Sequence, residues 1–216
     1  MHWHPSPNFG ARRNGLRPSM VVIHYTAMDN VAAARARLCD PAALVSAHYL
    51  IARDGAGEQL VKEGQRAWHA GHGEWRGQND INSRSIGIEL DNTGRHPFPE
   101  PQMATLESLL KDILARWDIP PSEVIGHADM APDRKLDPGR RFDWARLARR
   151  GLAQPAGTRG VTRRLSPETF RQQAQKSGFT APSTDADLLN AVRARFRPEG
   201  HGPLTTADLA ALPDAS

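Results

Sequence analysis

The stretch Asn-Ser-Arg-Ser-Ile-Gly-Ile-Glu-Leu (82–90) sets the fold. From Ser85 onward apolar residues alternate with others. Ile86, Ile88 and Leu90 fall on one face of an extended segment, and Gly87 and Glu89 on the opposite one, which is the two-residue period of a β-strand. Glu89 therefore faces away from the apolar side. Towards the N-terminus, Met20-Val21-Val22-Ile23 is a short apolar run that ends on His24, a buried strand closing on a polar residue. Towards the C-terminus, Val124-Ile125-Gly126 repeats the pattern and ends on His127. Between these runs, residues 47–53, the pair Asp54-Gly55 and residues 58–62 form a hairpin signal with Gly at the turn.

Helical spacing fills the intervals. An Ala-rich stretch runs from about Val31 to Cys39. Over 101–117, Met103, Leu106, Leu109, Leu110, Ile113, Leu114 and Trp117 share one stripe that ends before Pro120-Pro121, so this helix is expected to cover the sheet. Residues 131–139, with Pro132, Pro138 and Gly139, read as a long irregular loop. Phe142 to Arg150 reads as a helix stopped by Gly151. The class is α/β (α+β).

A chain of 216 residues accommodates one such domain and a small extra module. Gln154 to Gly160 is rich in Gly, Pro and small residues, which places a linker at 154–162 between units 1–153 and 163–216. The second unit reads as an all-α module of three helices. One starts at Ser166-Pro167 and stops before Gly178, one starts at Ser183 and carries Leu188, Leu189, Val192 and Phe196, and one covers Thr205 to Leu212.

The net charge of +4 is unevenly spread: ten Lys or Arg lie between Arg134 and Arg164, against two acids, Asp137 and Asp143. No nucleic-acid-binding motif accompanies them, so nucleic acid is not expected as a partner. A solvated face or attraction to an anionic small ligand fits better. The single cysteine, Cys39, cannot form an internal disulfide and reads as a small buried helix residue. No run approaches 18 apolar residues, so no membrane insertion is expected. The opening Met-His-Trp-His-Pro-Ser-Pro has no secretory leader pattern. The expected location is cytoplasmic, with the cell envelope as the alternative.

The chemistry gathers at two histidines on strand ends and one carboxylate in the following loop. His24, His127 and Asp137 are ligands of the kind zinc accepts, and three protein ligands with an open fourth position make the catalytic pattern. Five motifs surround them in order: Val-Val-Ile-His-Tyr-Thr (21–26), Ser-Ala-His-Tyr-Leu-Ile-Ala-Arg-Asp-Gly (46–55), Ala-Trp-His-Ala-Gly (67–71), the 82–90 stretch, and Gly-His-Ala-Asp-Met-Ala-Pro-Asp-Arg-Lys-Leu-Asp-Pro-Gly (126–139). Over roughly residues 5 to 150 the chain resembles the type 2 N-acetylmuramoyl-L-alanine amidases of the AmpD and AmiD kind, relatives of phage amidase lysozymes and peptidoglycan recognition proteins.

The resemblance implies a central mixed β-sheet flanked by helices. It implies zinc held by His24, His127 and Asp137, and peptidoglycan fragments or muropeptides as partners of a monomeric enzyme. It makes Glu89 the catalytic base and Lys135 the stabiliser of a tetrahedral oxyanion. His69 becomes a candidate substrate contact, His48 a structural residue and Trp68 a core residue. The chain departs from the phage enzymes in one respect, since Ala47 stands where they carry a tyrosine; Glu89 is expected to take over that role. The C-terminal module loosely resembles the three-helix peptidoglycan-binding domains attached to some of these amidases. Two rival functions stay open: a non-catalytic recognition module on the same fold, and a zinc hydrolase of other specificity.

Overall fold

Ile86 and its alternating partners form the middle of a six-stranded mixed sheet. The computed structural model describes residues 1–158 and 165–213. Strand order is β1 (His2–Trp3), β5 (Gly57–Gln59), β4 (Tyr49–Ile51), β7 (Ser85–Leu90), β3 (Met20–Tyr25) and β8 (Val124–Gly126). β3 runs parallel to β7 and β8, and β4 runs parallel to β7. The β4–β5 hairpin supplies the antiparallel pairing. A separate two-stranded ribbon joins β2 (Phe9–Gly10) to β6 (Arg66–Ala67).

Register carries the alternation into three dimensions. His24 on β3 is level with Glu89 on β7, and neighbouring residues at one level of a sheet project to the same face. The odd positions Val21 and Ile23 join Ile86, Ile88 and Leu90 in one buried cluster, whereas Met20 and Val22 enter a second cluster on the other face. His24 and Glu89 thus stand side by side on that second face, at the C-terminal ends of the two central strands.

The eight α-helices of the described residues surround the sheet on both faces. On the first lies α3 (Glu100–Trp117), which buries Met103, Leu106, Leu109, Leu110 and Ile113 as the stripe predicts. It ends where Asp118 turns left-handed at φ 55°. α1 (Val31–Cys39) is capped by Asn30, whose side chain accepts from the Ala33 amide at 2.9 Å. Cys39, at its last position, is only half-buried. Short helices α2 (Ile81–Arg84) and α4 (His127–Met130) adjoin β7 and β8, and α5 (Trp144–Arg149) packs Trp144 and Leu147 into the first-face cluster. His127 is therefore the first residue of a one-turn helix rather than the last of a strand: the Gly126 amide donates to Asp129 Oδ2 at 2.7 Å, which turns the chain there.

The second face is closed by α6 (Pro167–Lys176), α7 (Asp185–Phe196) and α8 (Thr206–Ala211). Phe170, Phe179, Leu188 and Val192 share one hydrophobic cluster with Met20, Val22, Trp75 and Ile125. The expected linker lies partly outside the described residues, at 159–162. A buried ion pair ties α7 to α4 and the edge strand β8. Arg195 donates to Asp129 Oδ2 and to the Val124 carbonyl, each at 2.7 Å, and its guanidinium lies 4.2 Å from the Trp144 ring centre. Both charges are about fully enclosed, at 3% and 2% exposed. Removing one partner leaves the other buried and uncompensated, at a cost of about 3–5 kcal/mol. Arg195→Ala should lower the free energy of urea unfolding by that amount; a loss under about 1 kcal/mol would show the pair to be unimportant to the fold.

Candidate active site

Three elements converge at the end of β3. The strand delivers His24, α4 starts on His127, and the loop after α4 returns Asp137. That loop is tied by the Ala128 amide donating to the Asp137 carbonyl at 2.9 Å and the Lys135 amide donating to the Ala131 carbonyl at 3.0 Å. Gly126 permits the return, because a Cβ there would stand 2.7 Å from Pro138 Cδ.

His24 Nδ1 lies 3.0 Å from His127 Nδ1 and 3.0 Å from Asp137 Oδ2, and the third side of the triangle is 3.1 Å. All three residues are buried. Whether a metal fits turns on which of these atoms carry protons. His127 Nε2 lies 3.0 Å from the Ala70 carbonyl, which can only accept. A neutral His127 therefore carries its proton on Nε2, and its Nδ1 presents a lone pair towards the Asp137 carboxylate. Lone pairs converging at 3 Å repel unless a cation sits among them, and two imidazoles with one carboxylate are donors that zinc takes. The residues present fit the metal.

Electrostatics agree. Burial, reinforced by the neighbouring His127, pushes the His24 imidazole down to about 4, so it stays neutral and able to ligate.

The triangle opens into a groove of about 420 Å³ whose walls include Glu89, Lys135, Trp68, Arg37 and the exposed Leu136. Glu89 Oε2 is shielded from water and has no hydrogen-bond partner among the described residues. Burial first, then the negative charge of Asp137, pushes the Glu89 carboxyl up to about 8, while Lys135 opposes the rise. An unpartnered carboxyl aimed into a groove beside a candidate metal site has the chemistry of a general acid or base. Lys135 makes no ion pair among the described residues and faces the same space.

His69 also lines the groove, yet both of its ring nitrogens are engaged internally: Nδ1 lies 3.0 Å from His24 Nε2, and Nε2 lies 3.1 Å from Ser85 Oγ. His48 is fully enclosed. Its Nδ1 accepts from the Gly87 amide at 3.0 Å and its Nε2 donates to the Gln65 carbonyl at 3.1 Å, a structural role, and burial pushes its imidazole down to about 3. Trp68, expected in the core, is half-exposed on the groove wall. The neighbouring Trp75 is the buried indole, packed edge-on to Phe179. An apolar side chain in a glycine- and histidine-rich loop gives no periodicity from which to tell wall from core. Ser85 and the Ala70 carbonyl were also beyond sequence reasoning, since a hydroxyl or a backbone oxygen carries no pattern that marks it as a partner for a distant imidazole.

Comparison with known proteins gives the same assignment. The Amidase_2 family, described as N-acetylmuramoyl-L-alanine amidase, matches residues 14–140. The chain is 43% identical over 152 residues to N-acetylmuramoyl-L-alanine amidase AmiD of Escherichia coli, a match covering 63% of this chain and 54% of that protein. It is 34% identical over 175 residues to 1,6-anhydro-N-acetylmuramyl-L-alanine amidase AmpD of Citrobacter freundii, covering 73% of this chain and 92% of that one. The structure of E. coli AmiD in complex with anhydro-N-acetylmuramic acid-L-Ala-D-gamma-Glu-L-Lys superposes with a TM-score of 0.81 at 32% identity, covering 92% of this chain and 89% of the other. The match thus spans about half the length of the curated AmiD sequence and nearly all of AmpD. With His24, His127 and Asp137 converging beside Glu89, and with that degree of likeness, the chain belongs to the type 2 N-acetylmuramoyl-L-alanine amidase family, the amide hydrolases of the AmpD and AmiD kind.

Proposed function

We propose that this chain uses zinc to hydrolyse the amide joining N-acetylmuramic acid, or its 1,6-anhydro form, to L-alanine in peptidoglycan or muropeptides. The observation that carries the reading is the juxtaposition of three converging metal donors with the unpartnered Glu89 carboxylate, level with His24 on the next strand. His24 Nδ1, His127 Nδ1 and an oxygen of Asp137 would hold the ion. Bound there, zinc polarises a scissile carbonyl and makes water acidic enough to attack near neutral pH.

The residues of the chain do the rest. Glu89 takes one proton from the attacking water as the new C–O bond forms, then delivers it to the alanine nitrogen as the C–N bond breaks. The products are the carboxylate of the muramic lactyl group and a peptide with a free N-terminal L-alanine. Lys135 faces the carbonyl oxygen and offsets the negative charge that grows there. Arg37 and Arg134 add positive charge at the rim, which suits a stem peptide bearing carboxylates. The anhydro-sugar ligand of the AmiD structure, and the anhydro sugar in the name of AmpD, favour muropeptides of that kind as substrate. In this scheme residues 1–153 form the catalytic unit. Helices α6 to α8 form a unit that adds affinity for the wall polymer. No helix among the described residues is long and apolar enough to cross a membrane.

Mass spectrometry of a defined anhydro-muropeptide, and of a purified wall digest, after incubation with zinc-loaded protein tests the bond. The expected products are the intact amino sugar and a peptide beginning with L-alanine. Cleavage inside the peptide would make the chain a peptidase. An unchanged muropeptide that still binds would make it a recognition module.

A further inference from the structure

His24 can offer a lone pair at Nδ1 only if its proton sits on Nε2, and a short chain of hydrogen bonds decides where that proton is. The Ser85 hydroxyl donates to the Ile81 carbonyl at 2.6 Å, closing the turn of α2. Its single proton is spent there, so Ser85 Oγ can only accept from His69 Nε2, 3.1 Å away. A neutral His69 protonated at Nε2 has a lone pair at Nδ1. That lone pair lies 3.0 Å from His24 Nε2 and accepts its proton. Each donor–acceptor choice forces the next, and the sequence of bonds ends with His24 Nδ1 bare and aimed at His127 and Asp137.

Three further features hold the relay in place. Gly87 makes room for it, because a Cβ at that position would lie 2.4 Å from the His69 ring. Asn82 Oδ1 accepts from the amides of His69 and Ala70, at 3.0 and 2.8 Å. One clamped dipeptide therefore serves both ligand imidazoles, with the His69 ring behind His24 and the Ala70 carbonyl behind His127. Ser85 is completely enclosed and does not reach the groove, so no substrate contact explains it.

We propose that His69 and Ser85 are positioning residues of the metal centre: together they fix the tautomer and orientation in which His24 binds zinc. The inference rests on the reading of His24 as a zinc ligand. Outer partners of ligating histidines make the ligand more basic and hold its ring, and their loss costs on the order of 10–100-fold in metal affinity or activity.

The test is a zinc titration of full-length, chelator-stripped protein against a competing chromophoric chelator, with no substrate present. His69→Phe keeps the ring and removes both nitrogens, so zinc affinity should fall on the order of 10–100-fold. His69→Gln retains an acceptor for the His24 proton and should recover part of the loss. Ser85→Ala should weaken zinc binding in the same direction by a smaller factor, and it decides the matter if the bulkier change fails to fold. Nitrogen NMR of the loaded wild type should show His24 protonated at Nε2. Unchanged zinc affinity in Ser85→Ala and His69→Gln, with only KM raised, would make His69 a substrate contact and overturn the proposal. A His24 proton on Nδ1 would overturn it as well. If the wild type itself takes up no zinc in this titration, the metal-centre reading is what fails, and the relay falls with it.

Discussion

Asp137→Ala loses zinc and amidase activity together. The carboxylate is one of three donors in a triangle with sides near 3 Å, and it is the one that carries formal charge. Two imidazoles are left facing each other at 3.0 Å with no carboxylate to offset a dication. The loss in zinc affinity should exceed the roughly 10–100-fold that removal of an outer partner costs, and hydrolysis should fall to background at ordinary zinc concentrations. Equilibrium dialysis and product analysis on the same sample check both halves. Retained activity in a variant that no longer holds zinc would separate the chemistry from the metal.

Glu89→Gln behaves in the opposite way: zinc stays and turnover goes. The carboxylate touches none of the three donors by hydrogen bond, so metal affinity should be close to that of the wild type. Loss of a positioned general base should lower kcat on the order of 10²–10⁴-fold. Full activity in this variant would remove Glu89 from the mechanism. Stability gives a second readout in chelator-stripped protein. Burial and Asp137 push the folded carboxyl from its ordinary 4.5 up to about 8. A carboxyl whose folded value is raised favours the protonated fold. Its contribution is complete below about 4.5 and is lost progressively as pH climbs through 8. Metal-free wild type should therefore lose thermal stability relative to Glu89→Gln between pH 5 and pH 8. A flat difference across that window would mean that the folded protein does not hold Glu89 as an acid.

Much of the site could be read in the sequence because its residues sit on the strongest periodicities. The alternation from Ser85 to Leu90 placed Glu89 opposite the core face, and the apolar run ending on His24 placed that imidazole at a strand end. What one-dimensional pattern cannot give is register: nothing in either strand says that position 24 lies level with 89, yet that pairing makes a site of two separate residues. His127 shows a related limit. Val124-Ile125-Gly126 reads as a strand running into it, but the side chain of Asp129 three residues on captures the Gly126 amide and starts a helix one residue early. The stripe Leu188, Leu189, Val192 and Phe196 announced an amphipathic helix without naming its partner. That partner is the second face of the catalytic sheet, reached through the same cluster that holds Met20 and Val22. The relay behind His24 was the least legible feature, since Ser85 sits in the motif as an ordinary small residue at the start of a strand.

The most direct test of the account is the rate of muramoyl-L-alanine amide hydrolysis as chelator-stripped protein is titrated with zinc. The stripped protein should show no activity, and the rate should then rise linearly and saturate at one zinc per chain. Full hydrolysis by the stripped protein, or a rate that ignores added zinc, would contradict it.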